Sequence, residues 1–327
     1  MHLLINGFGR IGRTVLRQLL ALPADRKPKS IWLNDIAGLE TALYLFKYDS
    51  VFGPYPGSVE ASADGFVING QRVSFTSEPD ISILDLSQID LVMECTGKAQ
   101  TREIAERGLK SGARQVLISG PSLAANRTLV LGANADNLGD EKIVSNASCT
   151  TNALAPLLKG LDDRLEIEHG HMTTIHCYTG SQPMVDAPRG ALERSRAGAV
   201  SMVPTTTSAA RLIAEILPNL NGRMTASAVR VPTISVSAVD LTVTVKKELP
   251  TNINSWLQGT YSKSKVVGFT HDPVVSTDMR ARPESLIIAL PETMQSGRHQ
   301  LRLFGWYDNE WGFSARMIEM AEKMITR

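Results

Sequence analysis

Short apolar runs alternate with amphipathic stretches through the first half of the chain. The predicted strands are residues 3–5, 30–33, 89–93 and 115–119, and the predicted helices between them are 11–22 and 102–110. The first helix carries its apolar side chains on one stripe and ends before Pro23. Because strands that alternate with helices form right-handed βαβ units, this pattern predicts an α/β domain with a doubly wound parallel sheet.

After about residue 148 the pattern changes to longer, β-branched segments, namely 172–178, 225–230, 236–246 and 299–306. These segments predict an α+β domain with a mixed sheet. The segment 179–204 has little periodicity, which is typical of a functional or subunit-contact loop. We predict a first domain at 1–148, completed by a C-terminal helix within 309–327, and a second domain at 149–308.

Charges nearly cancel in the 327 residues, since 34 Lys and Arg stand against 33 Asp and Glu for a net charge of +1. We therefore expect neither nucleic acid nor a membrane as a partner. The three cysteines, Cys95, Cys149 and Cys177, form no CxxC pair, which argues against a disulfide framework and against a metal site. The apolar N-terminal stretch is too short for a signal peptide, so we predict a cytoplasmic protein.

A glycine-rich turn of the form GxGxxG follows the first predicted strand and opens the first predicted helix. Its candidate cofactor-binding residues are Gly7, Gly9, Arg10, Ile11 and Gly12. The glycines allow a tight turn, a close approach of a pyrophosphate and packing of helix on strand, and the helix N-terminus supplies amide donors. The pattern predicts a dinucleotide site in a Rossmann domain.

Asp35 ends the second predicted strand, where a carboxylate can accept hydrogen bonds from ribose hydroxyls and repel a 2′-phosphate. The cofactor is therefore expected to be NAD rather than NADP. Thr96 with Gly97, and Ser119 with Gly120, follow two further strands. They either flank the cofactor or form ordinary strand-to-helix turns.

Cys149 lies in a polar segment directly before a predicted helix, and Ser148, Thr150 and Asn152 suit a cap or first turn. Pro156 is expected close to the helix start, because proline is poorly tolerated deeper in a helix. A helix N-terminus stabilises a thiolate, so we predict a lowered pKa for the Cys149 thiol. The same amides could stabilise an oxyanion.

His176 lies on a predicted strand, where neighbouring side chains point to opposite faces. If His176 faces Cys149, then Cys177 faces away. The imidazole would take the thiol proton and shuttle protons as a general base. We interpret Cys95 and Cys177 as structural residues.

The chain resembles the glyceraldehyde-3-phosphate dehydrogenase family along its whole length. The resemblance rests on residues 5–13, 145–152, 173–182, 230–242 and 306–313. It implies a homotetrameric, glycolytic oxidoreductase that converts glyceraldehyde 3-phosphate to 1,3-bisphosphoglycerate. In this scheme Cys149 forms a hemithioacetal and then a thioester, His176 is the base, and inorganic phosphate attacks the thioester. It also implies that Asn309 holds the nicotinamide carboxamide.

The resemblance further implies two anion sites. The substrate phosphate would use Thr179, Ser181 and Arg230, and the attacking phosphate would use Ser148, Thr150, Thr207 and Arg196, with Arg194 as the alternative arginine. Arg230 sits in an apolar run, where an unpaired charge would be costly. Ser208 replaces a glycine of the family pattern beside the second site, and Pro183 replaces a lysine.

Two other functions stay open at this point. Residues 229–247 are similar to erythrose-4-phosphate dehydrogenase, which releases a free acid after water attacks the thioester. A non-catalytic role in binding protein or RNA is the other alternative, and the near-neutral charge and the set of Cys149, His176 and Asn309 argue against it.

Overall fold

Two units make up the fold in the computed structural model, which describes residues 1–327. The first comprises Met1–Leu129, Asn137–Ala147 and Ser314–Arg327, and the second comprises Val130–Asp136 and Ser148–Phe313. Residues 130–136, Ser148 and residues 309–313, which were predicted in the first domain, thus belong to the second unit. For residues 130–136 the reason is local packing, since Gly132 lies against side chains of Pro156 and Val266.

The first unit contains a sheet in which parallel strands dominate. Its strands are β1 (His2–Asn6), β2 (Ser30–Asn34), β3 (Val59–Ser62), β4 (Gly65–Ile68), β5 (Gln71–Thr76), β6 (Leu91–Glu94), β7 (Gln115–Ile118), β8 (Arg127–Thr128) and β9 (Ile143–Ser145). They lie in the order β3-β4-β5-β2-β1-β6-β7-β9-β8, and only the β3–β4 and β4–β5 pairs are antiparallel. The chain leaves β1 toward β2 and returns on the other side at β6, so a ligand crevice is expected at the carboxyl end of β1.

The helices of this unit are α1 (Arg10–Ala21), α2 (Leu39–Lys47), α3 (Arg102–Ala105) and α4 (Arg107–Lys110). The predicted stripe of α1 is buried, with Val15, Leu16 and Leu19 fully covered. The single helix predicted at 102–110 is wrong, because Glu106 (φ −85°, ψ −9°) interrupts it and separates α3 from α4.

The second unit is built on a mixed sheet. Its helices are α5 (Cys149–Leu165), α6 (Ala209–Ile216) and α7 (Ile253–Thr260), and α8 (Trp311–Ile325) ends the chain. Its strands are β10 (Ile167–Cys177), β11 (Val203–Thr205), β12 (Met224–Val231), β13 (Ser237–Val245), β14 (Val267–Thr270), β15 (Leu286–Ala289), β16 (Met294–Ser296) and β17 (Gln300–Tyr307). Seven lie in the order β11-β12-β10-β13-β17-β15-β14, and β16 pairs with β17. The β10–β12 and β14–β15 pairs are parallel and the others antiparallel.

Helix α5 packs against β10, β13, β14 and β15 and is buried along most of its length. Pro156 is the eighth residue of this helix, so its predicted place near the helix start is wrong. Local propensity alone disfavours proline at this position, whereas the burial of α5 against the sheet stabilises the helix beyond that propensity.

The segment 179–204 is irregular as predicted, apart from a short 3₁₀ helix at Glu193–Ser195 and the first residues of β11. None of the helices combines the length and the apolar character that crossing a bilayer requires.

Candidate active site

A tight turn after β1 requires glycine at two positions. Gly7 has a φ of +92°, and a Cβ there would lie 2.7 Å from the carbonyl carbon of Cys95. A Cβ at Gly12 would lie 2.2 Å from the carbonyl oxygen of Gly7. At Gly9, by contrast, a Cβ would meet nothing within 4 Å. Gly7 and Gly12 therefore shape the turn, and Gly9 leaves open space beside the start of α1.

The N-terminus of α1 has no side-chain cap, because its N-cap residue is Gly9. Its first-turn amides and the positive end of the helix dipole therefore suit a pyrophosphate. Arg10 pairs with Asp49 and lies 5.6 Å from the centre of the Phe52 ring, and Ile11 is half-buried. The Arg10 guanidinium thus has a partner within the protein, and what the turn offers to a ligand is its backbone.

Asp35 lines a cavity of about 220 Å³ together with Gly7, Gly9 and Thr96. The Asp35 carboxylate accepts hydrogen bonds from the backbone amides of Phe8 at 2.6 Å and Ala37 at 2.8 Å. These bonds fix the carboxylate at the end of β2, where ribose hydroxyls could donate to it. An uncapped helix, open space at Gly9 and a fixed carboxylate fit an adenine dinucleotide without a 2′-phosphate.

A buried polar chain, which the sequence analysis missed, links the carboxyl ends of β2, β1 and β6. Asn34 Nδ2 donates to Asn6 Oδ1 at 2.8 Å, and Asn6 Nδ2 donates to Glu94 Oε2 at 2.5 Å. The amide of Thr96 donates to Glu94 Oε1 at 3.0 Å, so the carboxylate holds the turn that lines the cavity. Burial raises the pKa of Glu94. The sequence does contain one signal for this chain of hydrogen bonds, because each of the three apolar strands ends with a polar residue.

The two turns that the sequence left open differ in their surroundings. Gly97 has a φ of +72° and open space around a notional Cβ, and Thr96 lines the cavity. Ser119 follows β7 and hydrogen-bonds the Cys95 thiol. Burial raises the pKa of Cys95 to about 12, so this thiol stays protonated, in keeping with a structural role.

Cys149 is the first residue of α5. Ser148 is the N-cap, and its Oγ accepts a hydrogen bond from the amide of Thr151 at 3.0 Å. Ala147, with a φ of +55°, turns the chain into the helix. Cys149 Sγ lies 3.5 Å from His176 Nε2, within reach of a hydrogen bond to sulfur. The structure therefore brings together the two residues that the sequence predicts to be the nucleophile and the base.

Strand register places Arg230 beside His176, because these two residues are partners in the β10–β12 pair. His176 Nδ1 lies 2.7 Å from the carbonyl oxygen of Cys177 and 2.5 Å from Arg230 Nη1. Burial, and after it the charge of Arg230, lower the pKa of His176 to about 4. The imidazole is therefore neutral at physiological pH.

The expected lowering of the Cys149 pKa is wrong. Burial raises the thiol pKa, and the opposing effects of Arg230 and of hydrogen bonds from Thr150 do not cancel it. The free-energy cost of moving a thiolate out of water exceeds the stabilisation that one helix N-terminus and one guanidinium provide. Both members of the pair are thus neutral, and the reactive thiolate requires transfer of a proton from Sγ to Nε2.

Tyr307 is a central residue that the sequence analysis did not select. Its buried hydroxyl lies 2.8 Å from Thr150 Oγ1 and 2.8 Å from Thr174 Oγ1, so it joins the start of α5 to β10. Its ring meets His176 edge-on, with ring centres 6.0 Å apart. The alternating pattern of β17 predicts burial of this tyrosine, but nothing in the sequence indicates its partners.

Comparison with known proteins agrees with this geometry. Residues 1–102 match the protein-family model described as glyceraldehyde 3-phosphate dehydrogenase, NAD binding domain, and residues 148–309 match the model of the C-terminal domain of the same enzyme. The chain belongs to the glyceraldehyde-3-phosphate dehydrogenase family. It is an NAD-dependent oxidoreductase, and NAD is its cofactor.

Several curated relatives cover nearly the whole chain. The glyceraldehyde-3-phosphate dehydrogenase of Zymomonas mobilis is 42% identical over 328 residues, which span 98% of this chain and 97% of that protein. The enzyme of the same name from Pseudomonas aeruginosa is 42% identical over 325 residues, with 98% and 97% covered. A chloroplastic glyceraldehyde-3-phosphate dehydrogenase of Arabidopsis thaliana is 40% identical over 97% of this chain and 82% of that protein.

The residues that the glyceraldehyde-3-phosphate dehydrogenase family pattern assigns to the substrate phosphate lie on two strand ends. Thr179 and Ser181 follow β10, and their hydroxyl oxygens lie 2.9 Å apart. Arg230 is on β12, where its Nη1 also donates to the carbonyl oxygen of Cys177 at 3.0 Å.

The residues that the family pattern assigns to the attacking phosphate make different kinds of contact. The hydroxyls of Ser148 and Thr150 hold the start of α5, through Thr151 and Tyr307 respectively. Thr207 Oγ1 accepts from the amide of Ala209 at the start of α6, and Ser208 is the N-cap of α6 but makes no side-chain cap bond.

The two candidate arginines have different partners. Arg194 donates to Thr205 Oγ1 at 2.6 Å and to Thr206 Oγ1 at 3.1 Å, so it holds the segment that leads into α6. Arg196 pairs with Asp186 at 2.8 Å, and both side chains are more than half exposed. Such an exposed ion pair contributes little to the stability of the fold and breaks readily, so Arg196 is able to bind an anion instead.

Asn309 lies two residues after β17 and is buried. Its Oδ1 lies 3.1 Å from Ser237 Oγ and 3.2 Å from Cys177 Sγ. The Cys177 thiol therefore has a hydrogen-bond partner of its own and is not simply a filler of the core.

Proposed function

We propose that the protein oxidises glyceraldehyde 3-phosphate with NAD and inorganic phosphate, giving 1,3-bisphosphoglycerate through a thioester on Cys149. The observation that carries this proposal is the 3.5 Å contact between Cys149 Sγ and His176 Nε2 at the start of α5. The relatives reported above support the substrate, since each carries the name glyceraldehyde-3-phosphate dehydrogenase.

In the first step His176 Nε2 accepts the thiol proton, Cys149 sulfur adds to the aldehyde carbon, and the imidazolium returns the proton to the carbonyl oxygen to give a hemithioacetal. Free amides at the start of α5 stabilise the developing oxyanion. Bound NAD would supply the acceptor for the hydride from this carbon. His176 takes the hydroxyl proton as the hemithioacetal becomes a thioester. Attack by phosphate then forms the acyl phosphate and returns the sulfur as a leaving group.

The contacts of His176 Nδ1 suggest how the base is prepared. An arginine only donates, so Arg230 at 2.5 Å requires Nδ1 to accept, which places the single proton of the neutral ring on Nε2. An Nε2–H cannot take the thiol proton. When the substrate phosphate binds Arg230, the guanidinium turns to the anion; the ring then gives its Nε2 proton to water and takes a proton from water at Nδ1, so that Nδ1–H donates to the carbonyl oxygen of Cys177. The lone pair on Nε2 then faces Cys149.

The two phosphates would be held by hydroxyls and guanidinium groups, which suit phosphate oxygens. Thr179, Ser181 and Arg230 would hold the substrate phosphate. Thr207 and Arg196 would hold the attacking phosphate, with Ser148, Thr150 and Ser208 shaping the start of the two helices. In the first unit Gly9 and Asp35 would contact the pyrophosphate and the ribose, with Thr96, Gly97 and Ser119 along the cofactor.

We also propose a homotetramer located in the cytoplasm. The irregular segment 179–204 carries five apolar side chains that are each at least 75% exposed in the single chain, namely Met184, Val185, Leu192, Val200 and Met202. A second copy that covers this segment would remove them from water. Sedimentation of the purified protein at micromolar concentration tests the oligomeric state, and a monomer would contradict the proposed tetramer.

Steady-state kinetics with two aldehydes tests the reaction. We expect NADH production from glyceraldehyde 3-phosphate to depend on added phosphate, and erythrose 4-phosphate to be the poorer substrate. Faster, phosphate-independent oxidation of erythrose 4-phosphate would instead mean that water attacks the thioester.

A further inference from the structure

Three strand ends meet around Asn309. In the sheet order β10 and β17 flank β13, and both are antiparallel to it. β10 ends at Cys177 and β17 ends at Tyr307, at the edge where β13 begins with Ser237. Topology therefore brings a thiol, a hydroxyl and an amide together from three distant stretches of sequence.

The hydrogen bonds among these groups have a defined direction. The amide of Cys177 donates to Ser237 Oγ at 3.2 Å, so this oxygen is occupied as an acceptor and its own proton is directed to Asn309 Oδ1 at 3.1 Å. The Cys177 thiol donates to the same Oδ1 at 3.2 Å. Burial raises the pKa of Cys177 to about 12, so the thiol keeps the proton that it donates. All three residues are buried.

Two donors on Oδ1 fix which way the amide points. A rotation of 180° would place the NH₂ group against both donors and lose both bonds, which is costly for buried groups. The Asn309 carbonyl is therefore turned into the protein, and Nδ2 is directed the other way. No group of the protein accepts from Nδ2.

The backbone at this point is fixed as well. The buried carboxylate of Asp308 accepts from the amides of Ala281, Glu310 and Trp311 at 2.8–2.9 Å. Val236, immediately before Ser237, has a φ of +67°, which is rare for a β-branched residue. Strain of this kind persists only where the surrounding structure holds it. Here it occurs at the residue directly before Ser237, and so it helps to set the position of Ser237 beside Asn309.

We propose that Ser237, assisted by Cys177, is a positioning residue that fixes the Asn309 amide and thereby the face of the nicotinamide ring that receives the hydride. The inference rests on the proposed function and on the role that the family resemblance implies for Asn309, whose Nδ2 would donate to the oxygen of the nicotinamide carboxamide. A ring anchored by a fixed donor binds in one orientation about its glycosidic bond. An amide free to flip presents a donor in one state and an acceptor in the other, and the ring loses that preference.

Replacement of Ser237 by alanine tests this role. With NAD deuterated at C4 and unlabelled aldehyde, NMR of the NADH reports the face that received the hydride. We expect the wild type to give one diastereomer, and Ser237→Ala to give a measurable share of the other, with kcat lower by about tenfold. Cys177→Ala should produce a smaller effect of the same kind, and Cys177→Ser should restore the wild-type result.

Ser235→Ala is the matched control, because Ser235 is equally buried, lies two residues away, and its Oγ has no hydrogen-bond partner. It should leave both readouts unchanged. Binding of ADP-ribose, which lacks the nicotinamide, should be the same in every variant and reports intact folding. Single-face transfer at wild-type kcat in Ser237→Ala would overturn this inference alone. A wild type that does not reduce NAD would instead overturn the proposed function.

Discussion

The cofactor-binding turn of the first unit and the catalytic centre of the second are built in different ways. The turn uses backbone, with Gly7, Gly9 and Gly12 inside six consecutive residues and uncapped helix amides as its chemistry. The catalytic centre uses side chains from α5, β10 and β12, with Cys149 and Arg230 far apart in sequence. A backbone site is therefore encoded locally, whereas a side-chain site depends on the register of the whole sheet.

The largest effect is expected at the proposed catalytic centre, where one sulfur atom would carry the chemistry. Cys149→Ala removes the proposed nucleophile, so kcat should fall by about five orders of magnitude or more. NAD affinity, measured by fluorescence titration, should change little, because the glycine turn and Asp35 are intact. Turnover within tenfold of the wild type would mean that Cys149 is not the nucleophile.

Two substitutions in the glycine turn should have different effects, one mainly on stability and the other mainly on NAD binding. Gly12→Ala places a Cβ 2.2 Å from a backbone oxygen, and we expect it to lower the free energy of unfolding by about 3 kcal/mol. Gly9→Ala meets no protein atom, so it should change stability by less than about 1 kcal/mol while weakening NAD binding about tenfold or more. Chemical denaturation and NAD titration of both variants check this. Equal losses of stability would contradict the distinct roles.

The neutral His176 should leave a signature in the pH dependence of stability. The unfolded chain protonates this histidine near its ordinary pKa of 6.5, whereas the folded protein does so only near pH 4. Between these values the unfolded state binds more protons, so the free energy of unfolding falls as the pH falls, by up to about 3 kcal/mol. His176→Gln lacks this titration, so the stability of the wild type relative to this variant should decline between pH 6.5 and 4. Parallel curves in denaturant titrations would show that His176 is not held neutral.

The smallest effect is expected for cofactor discrimination. Asp35→Ala removes a carboxylate that would repel the 2′-phosphate of NADP, so the preference for NAD over NADP in kcat/KM should fall by about tenfold or more. Glu40→Ala, on α2, is a control that alters charge nearby without touching the cavity lining. An unchanged preference in Asp35→Ala would place cofactor discrimination elsewhere.

Much of the first unit could be predicted from sequence, because periodicity and glycine spacing are local signals. Strands β1, β2 and β7, helix α1 and the turn between β1 and α1 follow from them. The links between strand ends could not be predicted in this way. Asn6 and Glu94 are 88 residues apart and meet only because β1 and β6 are neighbours in the sheet.

The same limit applies more strongly to the second unit. The sequence correctly paired His176 with Cys149 and indicated Cys149 at a helix start. The partners of these residues depend on register, which puts Arg230 beside His176 and Ser237 beside Asn309. Thiol pKa was misjudged for the same reason, since desolvation is a property of the folded surroundings and not of the helix end.

A single-turnover reaction without phosphate tests the central claim most directly. Enzyme, NAD and excess glyceraldehyde 3-phosphate are mixed without phosphate, quenched in acid and examined by peptide mass spectrometry. The account predicts a burst of NADH and a 3-phosphoglyceryl thioester on Cys149, which disappears when phosphate is added before the quench. A burst of NADH that leaves Cys149 unmodified at every time point would contradict it.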